Sequence, residues 1–169
     1  QATYGPDSAI AEPLSQIYLT EELYDKALEQ LQILSESDQG NLNVRLKMAF
    51  IMVDQKKYKQ AIPLLEGILH ATPESDRVRF YLGAVYEELK KYPAAIQQFK
   101  EIQVKSKYFA DGLMHRAYLQ KLLGDISGAT DLLKKNLAFV EDNPKVYALY
   151  GSLLDDQKKH KEFFQLYHQ

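Results

Sequence analysis

The 169-residue chain has no cysteine and no tryptophan. Without cysteine there are no disulfides and no thiolate metal sites, although this selects no compartment, and cytoplasm and bacterial periplasm both fit. Its 6 prolines and 8 glycines are punctuation rather than low-complexity runs. No apolar run approaches the ~20 residues a helix needs to cross a bilayer, so no membrane insertion is expected. Neither charge dominates: 21 basic against 23 acidic residues leave a net charge of −2. That balance gives no electrostatic case for binding nucleic acid. The chain begins at Gln1 with no signal-peptide pattern, as expected of a processed chain or a piece of a longer one.

Catalytic patterns are equally scarce. Glycine-rich phosphate loops, GxSxG elbows and HExxH motifs are absent. The four histidines, His70, His115, His160 and His168, are scattered; His160 and His168 lie eight apart, near two helical turns, but with no carboxylate flanking them at metal-ligand spacing. No metal or cofactor is therefore expected. Glu87-Glu88 and Asp155-Asp156 are adjacent carboxylates, but helical neighbours point about 100° apart and cannot converge as a dyad. They read as solvated faces, and the chain reads as a non-enzyme.

What the chain does have is a repeat. Tyr24, Tyr58 and Tyr92 stand 34 residues apart, each followed three residues later by Ala27, Ala61 or Ala95, and the same step reaches Ala129. Other columns keep the step without insertion. A small residue recurs at Ser15, Ala49, Gly83, Ala117 and Gly151. A large apolar one recurs at Leu31, Leu65, Phe99, Leu133 and Tyr167, and another at Leu34, Ile68 and Ile102, failing at Asn136. A period of this length marks one supersecondary unit repeated along the chain. The repeats run 8–41, 42–75, 76–109 and 110–143, with a partial fifth from 144 to 169, after an N-terminal extension of residues 1–7. Residues 8–169 read as one domain, because stacked units share a continuous core.

Each repeat reads as a helical pair. Val78, Leu82, Val85, Tyr86 and Leu89 lie at three- and four-residue spacing, one face of a helix. Lys90-Lys91-Tyr92 interrupts it, Pro93 suits the first turn of a second helix, and Ala95, Ile96, Phe99 and Ile102 form that helix's apolar face. Turns are expected near 22–24, 56–58, 90–92, 124–126 and 158–160. The recurrent Lys56-Lys57, Lys90-Lys91 and Lys158-Lys159 place positive charge at the end of the first helix, where it opposes the helix dipole. The small columns let two helices approach closely. Pro13 suggests that the first helix starts late, near Glu12.

The pattern of Leu82-Gly83, Tyr86, Tyr92, Ala95 and Phe99, with Pro73 closing the unit before, resembles the tetratricopeptide repeat. The resemblance covers 8–169. It departs from the family where Arg45 and Arg79 replace the usual tryptophan, where Lys107 replaces a proline, and at His160 and Phe163 in the last unit. It implies an all-α, right-handed solenoid of antiparallel helix pairs, and a scaffold that binds other proteins.

In that family the first helices line a concave groove. The corresponding positions are Leu46, Phe50 and Val53, then Phe80, Ala84 and Glu87, then Met114, Tyr118 and Lys121. The flanking repeats supply Glu12, Gln16 and Leu19 on one side, and Ala148, Ser152 and Asp155 on the other. Tyr81 and His115 lie on a neighbouring stripe. The expected partner is therefore a peptide or helix with apolar anchors, met by Phe50, Phe80, Met114 and Tyr118. The competing reading is that Leu46, Phe50 and Phe80 only pack between neighbouring first helices. Some members clamp acidic chaperone tails, but the corresponding positions here are Glu12, Gln16, Lys47, Arg77 and Tyr81. Shifted by one repeat they are Leu46, Phe50, Tyr81, Asp111 and His115, and neither set is a cationic pocket. Alternatives are a structural or regulatory module of a longer protein, and self-association through an apolar C-terminal end at Phe163, Phe164, Leu166 and Tyr167.

Overall fold

A computed structural model describes residues 8–157. The expected extension 1–7, the turn at 158–160 and the apolar segment 163–167 lie outside the described residues. Among the described residues nine α-helices run in order: α1 Ser8–Thr20, α2 Tyr24–Ser37, α3 Leu42–Asp54, α4 Tyr58–Ala71, α5 Asp76–Glu88, α6 Tyr92–Lys100, α7 Phe109–Leu122, α8 Ile126–Asn136 and α9 Pro144–Asp156. A single 3-10 turn, Leu137–Phe139, follows α8, and the described residues contain no strand. The second helices of the four pairs begin at 24, 58, 92 and 126, keeping the 34-residue step seen in the sequence.

The period also appears in the backbone of the turns. Glu22, Lys56 and Lys90 have φ of 58°, 58° and 59°, and Gly124 has φ of 89°. In each turn the residue after this one donates its N–H back across the helix end. Leu23 bonds the Tyr18 carbonyl, Lys57 that of Met52, Lys91 that of Tyr86, and Asp125 that of Gln120. This is the Schellman arrangement, whose left-handed residue is usually glycine. The lysines at 56 and 90 thus hold a strained position as well as a favourable charge. Lys90→Gly is expected to stabilise by roughly 0.5–1 kcal/mol, and Gly124→Ala to destabilise by about as much or more. Chemical denaturation of each variant checks both signs.

Beyond the Lys56 turn, the Lys57 Nζ lies 2.7 Å from Asp25 Oδ1 at the start of α2. This hydrogen bond and charge hold the Asp25 carboxyl below its usual range. A depressed carboxylate stabilises the fold above the ordinary aspartate value of about 3.9, and the contribution is lost as pH falls through the lower folded value. Asp25→Asn should therefore lower stability slightly at neutral pH, flatten the acid limb of the stability profile, and match the wild type once pH falls below the lower folded value. An unaltered acid limb in a pH-dependent melting series would contradict this.

Two expectations are corrected. First, α1 starts at Ser8, not Glu12, and carries Pro13 inside it. A proline removes one N–H donor, but here Ala11 and Ser15 are buried on the helix's inner face and hold the turns on either side. Pro63 is tolerated in the same way inside α4. Second, Ile102 lies beyond the end of α6, in the link before α7. It stays buried because the chain leaves the helix early and lays Ile102 against Gly112. A Cβ on Gly112 would come within 2.8 Å of Ile102 Cδ1.

The chain divides between Val78 and Arg79 into two compact bodies. In the first, Leu31 of α2 packs with Val44, Met48 and Ile51 of α3. The second holds two clusters. Ala95 and Phe99 of α6 pack with Ile102 and with Leu119 of α7. Ala129 and Leu133 of α8 pack with Leu113 and Ala117 of α7 and with Val146, Tyr150, Leu153 and Leu154 of α9. The small columns are buried throughout: Ser15, Ala49, Gly83, Ala117 and Gly151 in the first helices, and Ala27, Ala61, Ala95 and Ala129 in the second. Their steric role is clearest at Gly83, where a Cβ would stand 2.7 Å from the Phe99 ring.

Candidate functional site

In the first body, α1, α3 and the start of α5 border a hollow of about 490 Å³. Leu46 and Phe50 reach it from α3, half-buried, and Val53 is half-buried one turn further along. The hollow is not an open apolar wall. The Arg77 guanidinium lies 4.6 Å from the centre of the Phe50 ring, a cation–π contact. Glu12, Lys47, Asn41 and Asn43 share the lining, and the Asn41 side chain is already engaged, accepting from the Val44 N–H at the start of α3. Lys47 and Arg77 thus meet across a site that also carries the Glu12 carboxylate, so it is mixed in charge rather than cationic.

In the second body, α5, α7 and α9 border a hollow of about 440 Å³ lined by Glu87, Met114, His115, Tyr118 and Leu149. Three of the five are apolar or aromatic walls. Tyr118 is 50% exposed and Leu122, one turn on, is 51% exposed. The polar corner is a pair: His115 Nδ1 lies 2.7 Å from Glu87 Oε2. The imidazole is fixed from behind by the Phe99 ring, stacked at 5.0 Å and 19°. The Phe80 ring meets it edge-on at 5.7 Å. At the rim, Lys121 Nζ pairs with Asp156 Oδ2 at 2.6 Å. Glu87 is therefore a partnered carboxylate, not the solvated face expected of Glu87-Glu88. The 28 residues between it and His115 disappear when α5 packs beside α7.

Of the sequence-expected positions, Glu87, Met114, His115 and Tyr118 come together here, with Lys121 at the edge. Phe80 and Tyr81 do not line the hollow. Phe80 belongs to an aromatic cluster, stacked on Tyr108 at 5.5 Å and packed on Phe99 at 5.8 Å, with Tyr81 edge-on at 6.0 Å. Ala84 is half-buried on α5. Leu149 was missed, although it stands one 34-residue step beyond His115 in the Tyr81 column. Arg116, beside His115 in sequence, has its guanidinium pKa lowered by burial; arginine nevertheless remains charged.

Chemically, the site offers apolar contact with one hydrogen-bonding corner. Beside the His115–Glu87 pair the hollow holds the Tyr118 phenol, and the described residues bring no thiol there. Nor do they gather three His, Cys, Asp or Glu side chains that could hold a metal ion. Among them no helix is long and apolar enough to cross a membrane.

The tetratricopeptide repeat family's profile matches residues 52–105, spanning the end of α3 to the link after α6. Over those residues the chain is tetratricopeptide-repeat sequence. Solved structures agree on the fold over nearly the whole chain. MamA from Desulfovibrio magneticus superposes with a TM-score of 0.75 at 15% identity, covering 95% of this chain and 91% of that one. A tetratricopeptide repeat protein from Parabacteroides merdae gives 0.79 at 15% identity, over 92% and 62% of the two chains. Among curated proteins, the BBSome complex member BBS4 homolog of Drosophila melanogaster is 24% identical over 130 residues. That match takes in 76% of this chain but only 26% of the fly protein, so the chain spans about a quarter of that relative's length.

Within this tetratricopeptide-repeat fold, the second-body hollow is built from first helices alone, α5, α7 and α9. These are the helices expected to carry a binding face. The repeats here keep the family's small columns and turns while replacing its tryptophan. Arg79, at one of those positions, forms an ion pair with Glu101.

Proposed function

We propose that this tetratricopeptide-repeat chain is a protein-interaction scaffold. Its second body would hold an apolar segment of a partner protein against Met114, Tyr118 and Leu149. The observation that carries the reading is the pairing of an accessible apolar wall with an internally satisfied polar corner. Tyr118 and Leu122 are about half exposed on one face of α7, while the charges nearby are already paired as His115–Glu87 and Lys121–Asp156. Such a surface gains by losing water from its apolar groups and loses little from stranding a charge. Aromatic and methionine side chains are enriched in surfaces of this kind. The fitting partner is an amphipathic helix or an extended peptide with a few large apolar anchors.

The chain's similarity to one quarter of a much longer relative favours a companion reading: the repeats serve as the binding module of a larger protein. Both readings place the contact on the same face of the second body.

Peptides selected from a random displayed library against the chain test the proposal. With its methionines methyl-labelled, the chain has three reporters: Met48, buried in the first body, Met52 and Met114. Selected peptides are expected to shift the Met114 signal and leave Met48 in place. Peptides that bind while leaving Met114 unmoved would place recognition elsewhere. Affinity should also depend only weakly on salt, because screening acts on exposed unpaired charge. A steep loss between low and physiological ionic strength would contradict an apolar contact.

A further inference from the structure

The outer face of α1 does not look like the end of a repeat array. Ile10 and Ile17 project there, 54% and 51% exposed, with Leu14 between them half-buried. Terminal repeats normally present a polar outer face, because each unit buries its apolar face against the next. The 34-residue register shows what this face does elsewhere. The positions equivalent to Ile10 are Val44, Val78, Gly112 and Val146, and all are buried. Those equivalent to Ile17 are Ile51, Val85, Leu119 and Leu153, and all are buried too.

The covering element can be named at three of these sites. Val44 and Ile51 of α3 lie against Leu31 of α2. Leu119 of α7 lies against Ala95 and Phe99 of α6, with Gly112 against Ile102 just beyond it. Val146 and Leu153 of α9 lie against Ala129 and Leu133 of α8. In each case the cover comes from the second helix of the preceding repeat, Leu31 of α2 in the first and an alanine with a large apolar residue one turn on in the other two, Ala95 and Phe99 and Ala129 and Leu133. We infer that the Ile10–Ile17 face is the docking surface for one more such helix: the second helix of a further tetratricopeptide repeat placed ahead of Ser8 in the same polypeptide. The array's register continues through α1 without a capping change, so the occupant is a repeat of this type and not an unrelated ligand.

The absence of cysteine makes the test direct, since a single introduced thiol reports one position. Ile10→Cys, Ile17→Cys and, as a control on the groove side, Gln16→Cys are made in the 169-residue chain. Each is also made in a version carrying a copy of residues 8–41 ahead of Ser8, with the thiol only in the original α1. Maleimide labelling at 10 and 17 is expected to be fast in the original chain and slower by about tenfold or more in the extended one, while position 16 labels alike in both. If the extended version does not fold, the original chain is labelled with saturating synthetic peptide of residues 8–41 present, and slowing at 10 and 17 is again the expected result. Undiminished labelling at both positions overturns the inference. So does sedimentation of the original chain as a dimer that already protects them, which would give the face to a second copy.

Discussion

Phe99→Ala is expected to cost about 3–5 kcal/mol of folding stability, the range for emptying a buried aromatic site. Phe99 is buried, and its ring is shared by several partners. It meets the bare α-carbon of Gly83 on α5, packs on Phe80, and stacks under His115. No neighbour is free to fill the void without leaving another. Filling the same contact from the opposite side should also fail. Gly83→Leu introduces a side chain where even a Cβ would stand 2.7 Å from the ring, and overpacking of this kind costs roughly 1–3 kcal/mol or more. Because Phe99 also supports the imidazole of His115, both variants should loosen the second-body hollow as well as the fold. Urea denaturation gives the stabilities, and hydrogen exchange in α5 and α6 shows whether the loss is local. A change below about 0.5 kcal/mol for either variant would contradict close approach of these two helices.

The second large effect is expected in binding rather than in folding. Met114→Ala together with Tyr118→Ala should weaken a bound peptide by ~2 kcal/mol or more, about thirtyfold in affinity. The same pair should leave the fold comparatively intact. Tyr118 is half exposed, and Met114 only borders the Leu133–Val146–Leu153 cluster. Leu82→Ala and Phe99→Ala provide the contrast: they lie in the core, and their loss should appear in stability first. Phe50→Ala offers a further comparison. Its ring is covered by Arg77, so its truncation should affect the second-body contact little.

The regular parts of this molecule were legible because they are local. Tyr24, Tyr58 and Tyr92 begin α2, α4 and α6 at the positions the period assigns, and the turns fall where the charged pairs stand. The left-handed residues themselves were not legible individually. Glu22, Lys56 and Lys90 are ordinary side chains placed at φ near 58° by the Schellman bonds around them, and only Gly124 announced the conformation. Pro13 was misleading for a similar reason: a single lost donor does not outweigh the anchors Ala11 and Ser15.

The candidate site was half legible. Met114 and Tyr118 followed from one helical stripe. The Glu87–His115 contact could not, because it joins two helices 28 residues apart and depends on how far α5 and α7 slide past each other. The same dependence put Phe80 into an aromatic cluster and laid Arg77 over Phe50, where residue type alone suggested bare apolar anchors. Leu149 needed only one more step of the period from His115.

The central claim is that the α5–α7–α9 face of the second body recognises an apolar partner segment. Its most direct test is the dissociation constant of one library-selected peptide, measured by titration on the wild-type chain and on the Met114→Ala/Tyr118→Ala variant. A loss of about thirtyfold or more with an unchanged melting profile is the expected result. Equal affinity for the two folded proteins would contradict it.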